Sequence, residues 1–242
     1  MGAHLEGRDP SVDRYARIAW LAHAYTGLGL VCGGLTLAAG ARADVRGAFF
    51  WMFLAIIIDA TDGALARRLR VNERLPHFDG TLLDNLADYL NYALCPAFLL
   101  FALGMVPMGA LAVGAVPLVA SAYAFSRRDA KTPDGFFTGF PSYWNLVIFY
   151  GWCLSLSAGW LAAWLVLFGV LTFVPIRYPA PFKARPLRHL TDPLCVVWVL
   201  SLVGLYLQLP TPSGWLVWVS LLYPAYYGAA TLWIAWTGQS SG

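Results

Sequence analysis

The chain has 242 residues, 59% of them hydrophobic and 12% charged, with a net charge of +3. A soluble domain carries about 25% charged residues, so the composition excludes an ordinary soluble globular fold. The few charges lie in clusters between apolar runs, which excludes a basic nucleic-acid-binding face and fits an all-α, polytopic membrane bundle.

Residues 1–13 are polar with mixed charge and show no cleavable-signal pattern; Pro10 followed by Ser11 could start a short interfacial helix there. Apolar windows of roughly 17–25 residues then predict eight transmembrane helices, over about 16–39, 47–68, 80–103, 106–126, 142–157, 160–176, 191–208 and 214–236. Gly29 and Gly33 form a G-x-x-x-G in the first, a contact for helix packing or for a dimer. Cys32, Cys95, Cys153 and Cys195 are far apart and lie in or beside apolar runs, so they read as small buried residues rather than zinc ligands or disulfides. No linker or low-complexity stretch divides the chain, which predicts a single domain over 1–242. Eight spans put both termini on one side. Fourteen of the sixteen basic residues fall on that side, leaving only Arg42 and Arg46 on the other. The positive-inside rule makes that side, with both termini, cytoplasmic.

Four aspartates stand out against this apolar background. Asp59 and Asp62 are three apart and share one face of the second span; Asp84 and Asp88 are four apart and share a face of the third with Gly80. All four fall at the cytoplasmic ends of these helices. Carboxylates at membrane depth are costly, and crowded ones repel. A divalent cation removes the conflict, and all-oxygen ligands without nearby Cys or His point to Mg²⁺ or Mn²⁺. Four carboxylates can hold two ions, an arrangement that clamps the attacking and leaving oxygens of a phosphoryl displacement. Gly63, Ala66 and Gly80 leave room for a phosphate or nucleotide beside the backbone, and Arg67 can fork onto phosphate oxygens. The competing structural reading is an ion-pair network among Asp59, Asp62, Arg67 and Arg68. A competing functional reading is a cation transporter, since intramembrane acids often mark ion pathways. Against it, all four acids cluster near one membrane face.

The pattern Asp59-x-x-Asp62-Gly63-x-x-Ala66-Arg67, followed by Gly80-x-x-x-Asp84-x-x-x-Asp88, resembles the signature of the CDP-alcohol phosphotransferases. All eight signature positions are filled. Twelve residues separate Arg67 from Gly80, where most of the family has a shorter gap. That longer gap, LPHFDGTLLDN after it and FPSYWN at 140–145 are similar to the bacterial phosphatidylcholine synthases within the family. The resemblance implies a bacterial inner-membrane enzyme with its active site facing the cytoplasm, and a homodimer. It implies transfer of the phosphatidyl group of CDP-diacylglycerol to the hydroxyl of choline, with release of CMP. Asp59, Asp62 and Asp84 would hold the metals. Asp88 would complete the site as general base or as a fourth metal ligand. Asp62, Gly63, Ala66, Arg67 and Gly80 would line the nucleotide and phosphate pocket. Other members use serine, glycerol 3-phosphate or inositol phosphate as acceptor, and eukaryotic relatives use CDP-choline and diacylglycerol.

Choline is best held by aromatic faces. Tyr92, one turn beyond Asp88, and Tyr143, Trp144 and Tyr178, near helix ends on the same side, are the candidates. Arg177 is a candidate for the lipid phosphate. The remaining cations at 127–131 and 183–188 read as topology charges facing membrane lipid headgroups. His77 reads as a solvated loop residue, and Asp79 lies off the acidic stripe.

Overall fold

The computed structural model describes residues 10–180, 182 and 188–237. Among the described residues, helical stretches lie near each of the predicted windows. Helix α1 runs over Pro10–Ala41 and α2 over Val45–Arg68. The third stretch comprises α4 (Gly80–Asp88), a π-helical segment (Tyr89–Leu94) and α5 (Cys95–Ala102). Then come α6 (Leu111–Ser126), α7 (Trp144–Cys153), α8 (Ala158–Phe173), α9 (Arg188–Leu207) and α10 (Gly214–Thr237). Three described helical stretches are both long and apolar enough to cross a membrane: Arg17–Ala41, Val45–Arg68 and Arg188–Leu207. Two more, Leu111–Ser126 and Ala158–Phe173, are apolar but shorter.

Helix α1 is continuous from Pro10 to Ala41, so residues 10–16 lead straight into the apolar stretch Arg17–Ala41; residues 1–9, which hold most of the predicted interfacial segment, lie outside the described residues. Three expectations need revision. The fourth helix starts at Leu111 because 103–110 forms turns around Gly104, Pro107 and Gly109. The fifth has only 10 residues. The bundle is also not purely helical: Phe136–Thr138 (β1) pairs antiparallel with Arg177–Pro179 (β2), joining two inter-helix loops.

Local chemistry explains the connections. Asp44 accepts a hydrogen bond from the Gly47 amide at 2.9 Å and caps α2, which turns the chain back along α1 after three residues. Asp79 caps α4 in the same way, its carboxylate accepting from the Leu82 amide at 2.9 Å. The residues between Arg67 and Gly80 do not form a loose loop. They build a helical turn, α3 (Val71–Arg74), whose Val71 is buried against Ala19 and Ala22 of α1. The π segment ends at Leu94, two residues before Pro96. Proline has no amide proton, and its ring crowds the carbonyl four residues back, here that of Tyr92 inside the π segment.

Helix α1 packs along α2 and also meets α3, α4, the π segment and α5. A second body of packing joins α6 to α8, α5 to α7 and α9 to α10. Its core contains Phe49, Met52, Leu99, Trp144, Phe149, Leu161, Leu165 and Leu205, all without solvent exposure.

Candidate active site

The site is built on α1, α2 and α4. Helix α4 packs chiefly on α1, so α1 forms the floor of a groove whose two walls carry the acids. The cavity there is lined by Thr26 and Gly29 of α1, by Ala55, Ile58, Asp59 and Asp62 of α2, and by Asp84, Ala87, Asp88, Asn91 and Tyr92. All four aspartates therefore face one space. Carboxylate oxygens of Asp59, Asp84 and Asp88 lie within 4.8 Å of one another. Asp62 stands apart from this trio: it is buried, and its Oδ2 accepts a hydrogen bond from the Thr26 hydroxyl at 2.7 Å.

Three hard oxygen donors at this separation suit a divalent cation. Asp88 is 6% exposed and faces both Asp59 and Asp84, a crowding of like charge that invites a cation. The ion pairs Arg127–Asp129, Arg177–Asp134 and Arg188–Asp192 involve neither Asp59 nor Asp62, nor Arg67 or Arg68. Hence the network weighed for Asp59, Asp62, Arg67 and Arg68 does not form.

The other sequence candidates divide. Gly63 and Arg67 stand side by side on α2 but are not among the residues lining the cavity; a Cβ on Gly63 would lie 3.3 Å from an Arg67 guanidinium nitrogen. Arg67 is exposed and free to reach a ligand. Ala66 instead packs toward Ala19, Ala22 and Val71. Gly80 has a structural reason to be glycine: a Cβ there would come within 2.6 Å of the His23 ring. His23 is buried and packs against Phe78, with ring centroids 4.3 Å apart.

Among the aromatic candidates, Tyr92 lines the cavity and its hydroxyl donates to Asp59 Oδ2 at 2.6 Å. Tyr143 stands at the start of α7, its ring edge-on to Phe137 and Phe140, and is not among the residues lining the cavity. Trp144 does not belong here. It is 0% exposed, its indole N–H donates to Ser121 at 2.8 Å, and its ring packs edge-on against Phe140. Tyr178 is buried on β2 among Phe140 and Tyr227. Arg177 is ion-paired with Asp134 and lies over the Phe136 ring. The Thr132 hydroxyl and Arg177 together hold the Asp134 carboxyl below its usual range. The four cysteines are free thiols.

Sequence reasoning missed Thr26, Gly29 and Asn91, which line the cavity from outside the acidic motif. No pattern in α1 marks Thr26, because its partner Asp62 lies 36 residues away.

The family model described as CDP-alcohol phosphatidyltransferase matches residues 19–175, a stretch that holds the whole cavity. Relatives named phosphatidylcholine synthase include the following three. One from Legionella bozemanae is 38% identical, over 74% of this chain and 87% of its own length. One from Legionella pneumophila is 37% identical, over 84% of this chain and 82% of its own. One from Borreliella burgdorferi is 33% identical, over 90% of this chain and 95% of its own.

Proposed function

The chain belongs to the CDP-alcohol phosphatidyltransferase family and is a membrane transferase, and from that premise we propose that it makes phosphatidylcholine from CDP-diacylglycerol and choline. The observation that carries the reading is the convergence of Asp59, Asp84 and Asp88 in a cavity that also presents the Tyr92 ring. Family membership sets the transporter alternative aside.

Asp59, Asp84 and Asp88 would hold Mg²⁺ or Mn²⁺, and Asp62, facing the same cavity, would complete the set for a second ion. A cation held by these carboxylates would supply positive charge toward the phosphates and the leaving oxygen. Arg67, over Gly63, binds and orients the diphosphate. The choline oxygen forms a bond to the phosphorus bearing the diacylglycerol, and the bond from that phosphorus to the CMP oxygen breaks. The hydroxyl proton passes to Asp88, which sits in the cavity with little access to bulk water. Tyr92 offers a ring face to the quaternary ammonium. The Tyr92 hydroxyl is already committed to Asp59, so its ring is the part left for choline.

Acceptors that carry their own phosphate need a further cation. Arg127 and Arg177 are engaged with Asp129 and Asp134, which favours a cationic acceptor instead. We further propose that the whole chain is one domain of eight spans, that both termini and the cavity face the cytoplasm, and that it resides in a bacterial inner membrane. The basic-residue distribution and the bacterial relatives support this. The test is purified protein with CDP-diacylglycerol, Mn²⁺ and labelled choline, serine or glycerol 3-phosphate. Labelled lipid and CMP are expected with choline alone; product with another acceptor and none with choline overturns the proposal.

A further inference from the structure

The proposed function uses the acids but leaves unexplained what holds Asp88 and Tyr92 where they are. Both flank the point at which the third helical stretch changes from α to π geometry. A π turn re-aims the side chains around it, and such turns recur at functional sites. This one is held from behind by α1. The buried Asn91 amide donates to the Ala87 carbonyl, one turn back on its own helix, and to the Gly29 carbonyl of α1, both at 2.9 Å. One turn further along, the Cys95 thiol lies 3.4 Å from the Gly33 carbonyl. Such polar contacts between helices supply the attraction that lipid cannot.

The approach is close enough to need glycine. A Cβ on Gly33 would lie 2.5 Å from Leu90 and 3.0 Å from the Asn91 side-chain oxygen. Gly27 and Gly34, on the same helix, face open space. The G-x-x-x-G motif therefore serves packing within the chain.

We propose that Asn91, seated against Gly29 and Gly33, is a positioning residue that fixes Asp88 and Tyr92 relative to Asp59 and Asp84. Ala87, which Asn91 ties to α1, immediately precedes Asp88. Tyr92, which immediately follows Asn91, donates to Asp59. Loosening this clamp moves one wall of the acidic groove against the other while leaving every acid in the chain. The inference rests on the metal reading of those acids.

The experiment is a Mn²⁺ titration of purified protein without substrate, read by electron paramagnetic resonance, with thermal midpoints measured in parallel. Asn91→Leu keeps the bulk and removes the amide. Gly33→Ala keeps the amide and pushes on Leu90. Both are expected to weaken Mn²⁺ binding by about tenfold or more, as loss of groups that orient metal ligands does. Gly34→Ala is expected to bind as the parent does. Where choline transfer is measured, kcat should fall more than KM for CDP-diacylglycerol rises. A parent protein that binds no Mn²⁺ overturns the metal reading and this inference with it. Parent-like binding in both Asn91→Leu and Gly33→Ala overturns this inference alone. Loss of the fold in both also overturns it, since the clamp would then serve folding and not the site.

Discussion

Around the acidic cavity, α1 meets its neighbours through Ala19, Ala22, Gly29 and Gly33, whereas α2, α5, α7 and α8 meet through Phe49, Leu99, Trp144, Phe149 and Leu165. Small residues bring backbones together, and this lets carboxylates from two walls converge over a third helix. Bulky residues fill volume and leave nothing open. The aromatic content of the chain is thus used in two ways. Phe140, Trp144 and Phe168 are spent on one another, while Tyr92 turns its hydroxyl to an acid and its ring to a cavity.

Substitutions in the two regions should fail in different ways. The largest effect is expected for Asp88→Asn, which should lower kcat by about 10²–10⁴-fold. Its thermal midpoint in EDTA should hold or rise, because one of three crowded charges is gone. Near-parent activity would remove Asp88 from the chemistry. Trp144→Ala should cost about 3–5 kcal/mol of stability and leave the choline KM of the folded fraction unchanged. A selective rise in that KM would return Trp144 to the site. Tyr92→Phe should weaken Mn²⁺ binding by about tenfold with little change in choline KM, because the ring stays. Tyr92→Ala should raise both, and equal behaviour of the two variants would break the division between hydroxyl and ring. The smallest effect is expected for Ser121→Ala, about 1 kcal/mol, from leaving the Trp144 N–H without its acceptor; it should not touch metal binding.

The helices were legible because lipid demands long apolar runs, and the acids because spacings of three and four give one helix face. What failed to show was whatever depends on distant partners. Thr26 and Asn91 look ordinary in sequence, and only folding sets them beside Asp62 and Gly29. Trp144 and Tyr92 are both aromatics expected near the cytoplasmic ends of spans, and tertiary packing alone decides that one is sealed in the core. The strands β1 and β2 have three residues each, too few for an alternating pattern to register. Gly80 was read as room for a nucleotide, and the structure adds a second reason in the His23 ring.

The most direct test is CMP release from CDP-diacylglycerol in the presence of choline, using protein stripped with EDTA and then titrated with Mn²⁺. Release should be absent in stripped protein, return with Mn²⁺ in the parent, and fail to return in Asp84→Asn. Release by stripped protein, or full recovery in Asp84→Asn, would contradict a metal-dependent transferase site at Asp59, Asp84 and Asp88.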